Sequence, residues 1–187
     1  MDTSTSSRST GLDALDTRTV QRMALSNTFS LLLGGVAMAR WERKMRASGG
    51  PGIFELQLAR DANEAADVLE SWGPVGRRAA VEETWADFAW MITYGIAGVC
   101  AGELARRRAA PGSGWESVGR VVRWAPAGAV ACDVAEGVGL LRTLKDWPRV
   151  EEGRVAWTRA AAATKYALLV GTAVWAAGAA TVGGRRR

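Results

Sequence analysis

Four stretches of this chain are apolar over roughly the thickness of a lipid hydrocarbon core, and each is closed by charged residues. About 20 residues of helix are needed to cross such a core. Within it, backbone polar groups must be satisfied inside the segment, which favours helices. The pattern therefore predicts an all-α polytopic membrane protein with four transmembrane helices. The expected spans are residues 20–39, 84–105, 120–141 and 160–182. They would form one four-helix membrane domain over residues 19–184, with residues 185–187 as a basic C-terminus.

The first span begins after Arg18 and Arg22, and Ala37-Met38-Ala39 has the small-residue pattern of a signal-peptide cleavage site. The polar stretch before it is longer than a usual signal n-region, so a retained helix is expected. Residues 1–18 are rich in Ser, Thr and Asp without an apolar period and are expected to be a disordered tail.

Between the first two spans lies "IFELQLARDANEAADVLESW". Leu58, Ala62, Ala65, Leu69 and Trp72 recur at steps of three and four, while Arg60, Asp61, Glu64 and Asp67 fall opposite. This predicts an amphipathic helix over 53–72, lying along the membrane or packed over the end of the bundle. Gly73-Pro74 stops it and starts the next helix. Pro126 lies near the start of the third span, where a missing backbone donor costs least. Trp41, Trp85, Trp124 and Trp157 fall near expected helix ends, as interfacial tryptophans do.

The formal net charge is +5, from 24 Lys and Arg against 19 Asp and Glu. The basic residues sit at the ends of apolar runs, as in Arg106-Arg107-Arg108, instead of lining a soluble face, so nucleic acid is not an expected partner. The connector between the second and third spans and the C-terminus are both arginine-rich. The connectors after the first and third spans are also basic but diluted by acids, so the bias is modest; it favours both termini on the cytoplasmic side of an inner (plasma) membrane. The expected partners are the bilayer itself and either further copies of the chain or another membrane protein.

No histidine is present, which removes the commonest metal ligand and neutral-pH general base. Cys100 and Cys132 are too far apart for a CxxC pair and read as small buried hydrophobes. "GGVAMA" and "GSG" lack the strand and lysine of a phosphate-binding loop. No cofactor or metal is expected, and an enzyme is the less favoured reading.

The chemistry-bearing residues lie within the spans. "ACDVAEGVGLL" puts Asp133 and Glu136 on one helical face at i, i+3. Four antiparallel spans bring the start of the second, the end of the third and the start of the fourth to one side. Asp87, Glu136 and Lys165 then lie at similar depths, about 5–8 Å inside their spans. The expectation is that Lys165 holds Asp133 or Glu136, with Asp87 nearby and Tyr94 and Asn27 adding hydrogen bonds. The three acids and one lysine sum formally to −2, an excess that a proton or cation can share.

With these residues placed, the chain resembles a group of bacterial four-helix integral membrane proteins to which no activity is attached. The similarity rests on "FELQLARDANEAADVLESWG", "ADFAWMITYG", "ACDVAEGVGLL" and "TKYALLVG", and covers roughly residues 53–172. It implies a four-helix membrane fold and points to Asp87, Asp133, Glu136 and Lys165. Relatives of that group commonly carry Asn where this chain has Gly137. Two functions remain open at this stage. One is a membrane subunit or scaffold with a buried carboxylate–lysine network. The other is a small proton- or cation-coupled transporter or channel that uses the intramembrane carboxylates.

Overall fold

A computed structural model describes residues 11–184, with side chains through residue 181. Every regular element among them is helical. After a 3₁₀ turn at Gly11–Ala14 come α1 (Thr17–Ala47), α2 (Ile53–Gln57), α3 (Ala62–Ser71) and α4 (Gly73–Arg108). They are followed by α5 (Gly114–Val122), α6 (Ala125–Asp146) and α7 (Glu152–Gly184). The long helix α4 is the centre of the bundle and packs against α1, α6 and α7, while α6 and α7 also pack on each other.

α1 leans on α4 through one stripe. Val20, Trp41 and Met45 are buried on it. Gly34 lies so close beneath the Trp90 indole of α4 that a Cβ there would collide with the ring. The opposite stripe of α1 faces outward and holds Leu25, Phe29, Leu32, Leu33 and Val36.

One end of the bundle is closed by α2 and α3. Trp72, Leu69 and Ala65 are fully buried there against Met45, Ala80 and Val155. The Trp72 Nε1 donates to the Pro51 carbonyl at 2.6 Å. At the other end α5 lies against α4 and α7, where Trp175, Ala179 and Ala105 form a smaller apolar core.

Several sequence expectations change. The single helix over 53–72 is two helices, because Asp61 caps the second by accepting from the Glu64 amide at 2.9 Å. Glu64 in turn accepts from the Arg60 amide at 2.7 Å, so the chain turns where a continuous helix was expected. Its buried stripe meets protein: Ala65, Leu69 and Trp72 pack into the bundle end. The third span does not begin at residue 120. α5 ends at Val122, and α6 starts at Ala125 with Pro126 in its first turn. The tail expected over 1–18 is ordered from residue 11, and Asp16 caps α1 by accepting from the Thr19 amide at 2.9 Å. Residues 1–10 and the basic residues 185–187 lie outside the described residues. Of the four tryptophans expected at helix ends, Trp85, Trp124 and Trp157 are exposed, whereas Trp41 is buried and donates to Glu82.

Two helices, α4 and α7, are long and apolar enough to cross a membrane. α1 falls short because Ser26, Asn27, Thr28 and Ser30 dilute its uncharged stretch. α6, at 22 residues, is long enough but is interrupted by Asp133, Glu136 and Arg142.

Candidate functional site: a carboxylate cleft along α4

Helix α4 presents Glu83, Asp87, Trp90, Tyr94, Ala97 and Ala101 on one face, at steps of three and four. α1 stands on one side of that face and α7 on the other, and the two do not close over it. The result is a cleft of about 700 Å³. It follows α4 from Glu83 to Ala101, a rise of about 27 Å at helical pitch. Leu31 and Met38 of α1, Phe54 and Gln57 of α2, and Tyr166 and Leu169 of α7 complete much of the wall.

Asp133 and Lys165 lie at the base of the cleft. The Lys165 Nζ donates to Asp133 Oδ1 at 2.7 Å. It also lies 2.7 Å from Glu136 Oε2, an ion-pair contact that falls outside hydrogen-bond geometry. Tyr94 donates its hydroxyl proton to the other Asp133 oxygen at 2.7 Å. These polar groups are buried: Asp133 is 3% exposed, Glu136 1% and Lys165 5%. Lys165 thus joins α7 to both acids of α6, and Tyr94 ties them to α4. The neighbouring glycine of the motif, Gly137, faces the Phe88 ring, whose Cζ would lie 3.0 Å from a Cβ there.

Of the residues singled out from the sequence, Asp133, Glu136, Lys165 and Tyr94 come together as expected. Asp87 reaches the same cleft but forms no ion pair or hydrogen bond among the described residues. Asn27 does not join. Its amide donates to the Met23 carbonyl of its own helix at 2.9 Å, and α1 packs on α4, away from α6. The helices run past the uncharged stretches, so Asp87 lies 14 residues beyond Gly73, about 21 Å along α4. The cluster therefore sits near the middle of the bundle.

Glu83 escaped sequence reading because it lies one residue outside the apolar stretch. Its signal was the i, i+4 spacing to Asp87. Its side chain lines the cleft, is 6% exposed, and leaves Oε2 without a partner among the described residues. Gln57 is a second addition; it accepts from the Tyr166 hydroxyl at 3.2 Å.

A separate polar knot closes the far end. Glu103 is fully buried and accepts from Arg106, Arg107 and Arg123 at 2.6–2.9 Å. Asp13 in the N-terminal turn accepts from Arg123 at 2.8 and 2.9 Å and from Arg106 at 2.9 Å. The hydrogen bond from Arg123 holds the Asp13 carboxyl below the usual carboxylate range. Here the arginines answer every acid, as expected of a structural joint. In the cleft the acids outnumber the one cation.

No family model, curated protein or solved structure matches this chain.

Proposed function

We propose that this chain is a four-span membrane protein of the inner (plasma) membrane that binds a proton or another cation at the carboxylates of the α4 cleft, as a small cation-coupled carrier. The observation that carries the reading is the imbalance of the site. Glu83, Asp87, Asp133 and Glu136 face a single cation, Lys165, and Glu83 and Asp87 are left without partners on the cleft wall. A charged side chain at the centre of a bilayer costs at least about 2.5 kcal/mol on insertion scales. A network needed only for packing would pair its acids, as the knot pairs Glu103.

Membrane residence is supported by α4 and α7 and by the outward apolar surface. Leu25, Phe29, Val36, Ile92, Val170 and Val174 are all more than half exposed, which suits lipid as the surrounding solvent. In this reading α1 and α6 complete the four spans. In this orientation the end with α5 and both termini is cytoplasmic, and the end closed by α2 and α3 faces out.

A second reading is favoured by one feature. Lys165, Asp133, Glu136 and Tyr94 link three helices through buried contacts, which would fix helix order in a subunit or scaffold whose partners act. Purified chain reconstituted alone in liposomes separates the two. The carrier reading expects dissipation of an imposed pH or cation gradient, lost in D87N. A chain that isolates with a stoichiometric membrane partner and moves nothing by itself supports the scaffold.

A further inference from the structure

Resting on the cation reading of this cleft, we propose that its ligand is an organic cation with a bulky apolar or aromatic body, held with its charged centre against Glu83 and Asp87. Three features of the cleft select this class. The first is charge placement. Glu83 and Asp87 are one turn apart on the same face of α4, near the end covered by α2. The Glu83 side chain lines the cleft, and its buried Oε2 has no partner among the described residues. Lys165 is engaged by Asp133 and Glu136, so these two carboxylates remain available to a ligand.

The second feature is the wall. Phe54, Trp90, Tyr94 and Tyr166 all contribute to it, and the Phe54 and Tyr166 rings stand 5.6 Å apart at 51°. Aromatic faces attract cations that are weakly hydrated, and the attraction grows when water is excluded. A small hard ion would need a compact shell of oxygens in place of these rings. The third feature is size. At about 700 Å³ the cleft is within the usual range of small-molecule pockets, about 300–1,000 Å³. Beyond Asp87 it continues along Leu31, Ala97 and Ala101, an apolar stretch suited to an apolar body.

The test is equilibrium dialysis of the full chain in detergent with two ions of the same shape and opposite charge, tetraphenylphosphonium and tetraphenylborate. Saturable binding of the phosphonium alone is expected. Replacing both carboxylates (E83Q with D87N) should weaken it at least about tenfold, as expected when the opposite charges of a low-dielectric site are removed. Phe54→Ala leaves every carboxylate in place and should weaken binding about three- to tenfold through the lost ring face. This variant keeps the test decisive if the double variant does not fold. Equal binding of both ions overturns the proposal, as does unchanged phosphonium binding in a folded double variant or in Phe54→Ala. Phosphonium binding without any Asp87-dependent flux in liposomes would retain this site and remove the carrier reading. Asp87-dependent flux without phosphonium binding would do the reverse.

Discussion

Lys165 holds more of this molecule together than any other charged side chain near its centre. It is 5% exposed, and both Asp133 and Glu136 lie 2.7 Å from its ammonium nitrogen. Lys165→Met strands both acids, and breaking a buried pair from one side costs about 3–5 kcal/mol. The loss should appear as earlier unfolding in a denaturing-detergent titration followed by circular dichroism. Adding Glu136→Gln should recover part of it. Glu136 is held by the Lys165 ammonium alone among the described cations, and a neutral amide no longer needs it. Asp133 would keep the Tyr94 hydroxyl. Equal stability of Lys165→Met and wild type would remove the network from the account of the fold. Asp13 makes the N-terminal tether depend on pH. Arg123 holds its carboxyl below its ordinary value of 3.8, so the tether contributes fully above that value. The contribution is lost as pH falls through the lowered native value. Amide protection across Gly11–Ala14, taken relative to the intrinsic exchange rate at each pH, should therefore fall in strong acid and stay unchanged around neutrality.

The elements were legible from sequence where one physical signal dominated. Apolar runs located the cores of α1, α4 and α7, whereas the start of α6 was expected at residue 120, ahead of the proline at 126 that marks its first turn. The helix ends were less legible, because hydropathy stops where charge begins but helices do not. Arg46 pairs with Glu42 and Arg78 with Glu82 at i, i+4, so helix continues through charged sequence. That same effect hid Glu83 and moved the cluster towards the middle of the bundle. The Lys165–Asp133–Glu136 contact was legible because antiparallel order and the i, i+3 spacing determine it together. The isolation of Asp87 and Glu83 depends on how far α1 and α7 stand apart, which no local pattern encodes. The break between α2 and α3 rests on the capping at Asp61. Asp61→Ala should cost about 1 kcal/mol and fray α3 first, seen as faster amide exchange over Ala62–Ser71 with α4 protected. Uniform exchange along both helices would mean that Asp61 is not the cap that separates them.

At the scale of the whole molecule, α1 is held chiefly by α4, through one stripe. Its outer stripe is bare: Leu25 is 72% exposed and Val36 73%. Scattered apolar residues are ordinary on a soluble surface, but a continuous stripe of Leu25, Phe29, Leu32, Leu33 and Val36 is not. Helices α4 and α7 add Ile92, Val170 and Val174 to the outward apolar surface. Water around such a surface drives association, whereas hydrocarbon leaves it satisfied. The chain should therefore require detergent, and a protein that stays monodisperse in plain buffer would overturn its membrane placement. A sharper check uses position along the helices. Spin labels at Val36 and Val174 should be quenched by lipid-soluble oxygen. A label at Arg149, in the connector between α6 and α7, should respond instead to a water-soluble nickel complex. The same order at all three positions would place them in one solvent and remove the bilayer from the account.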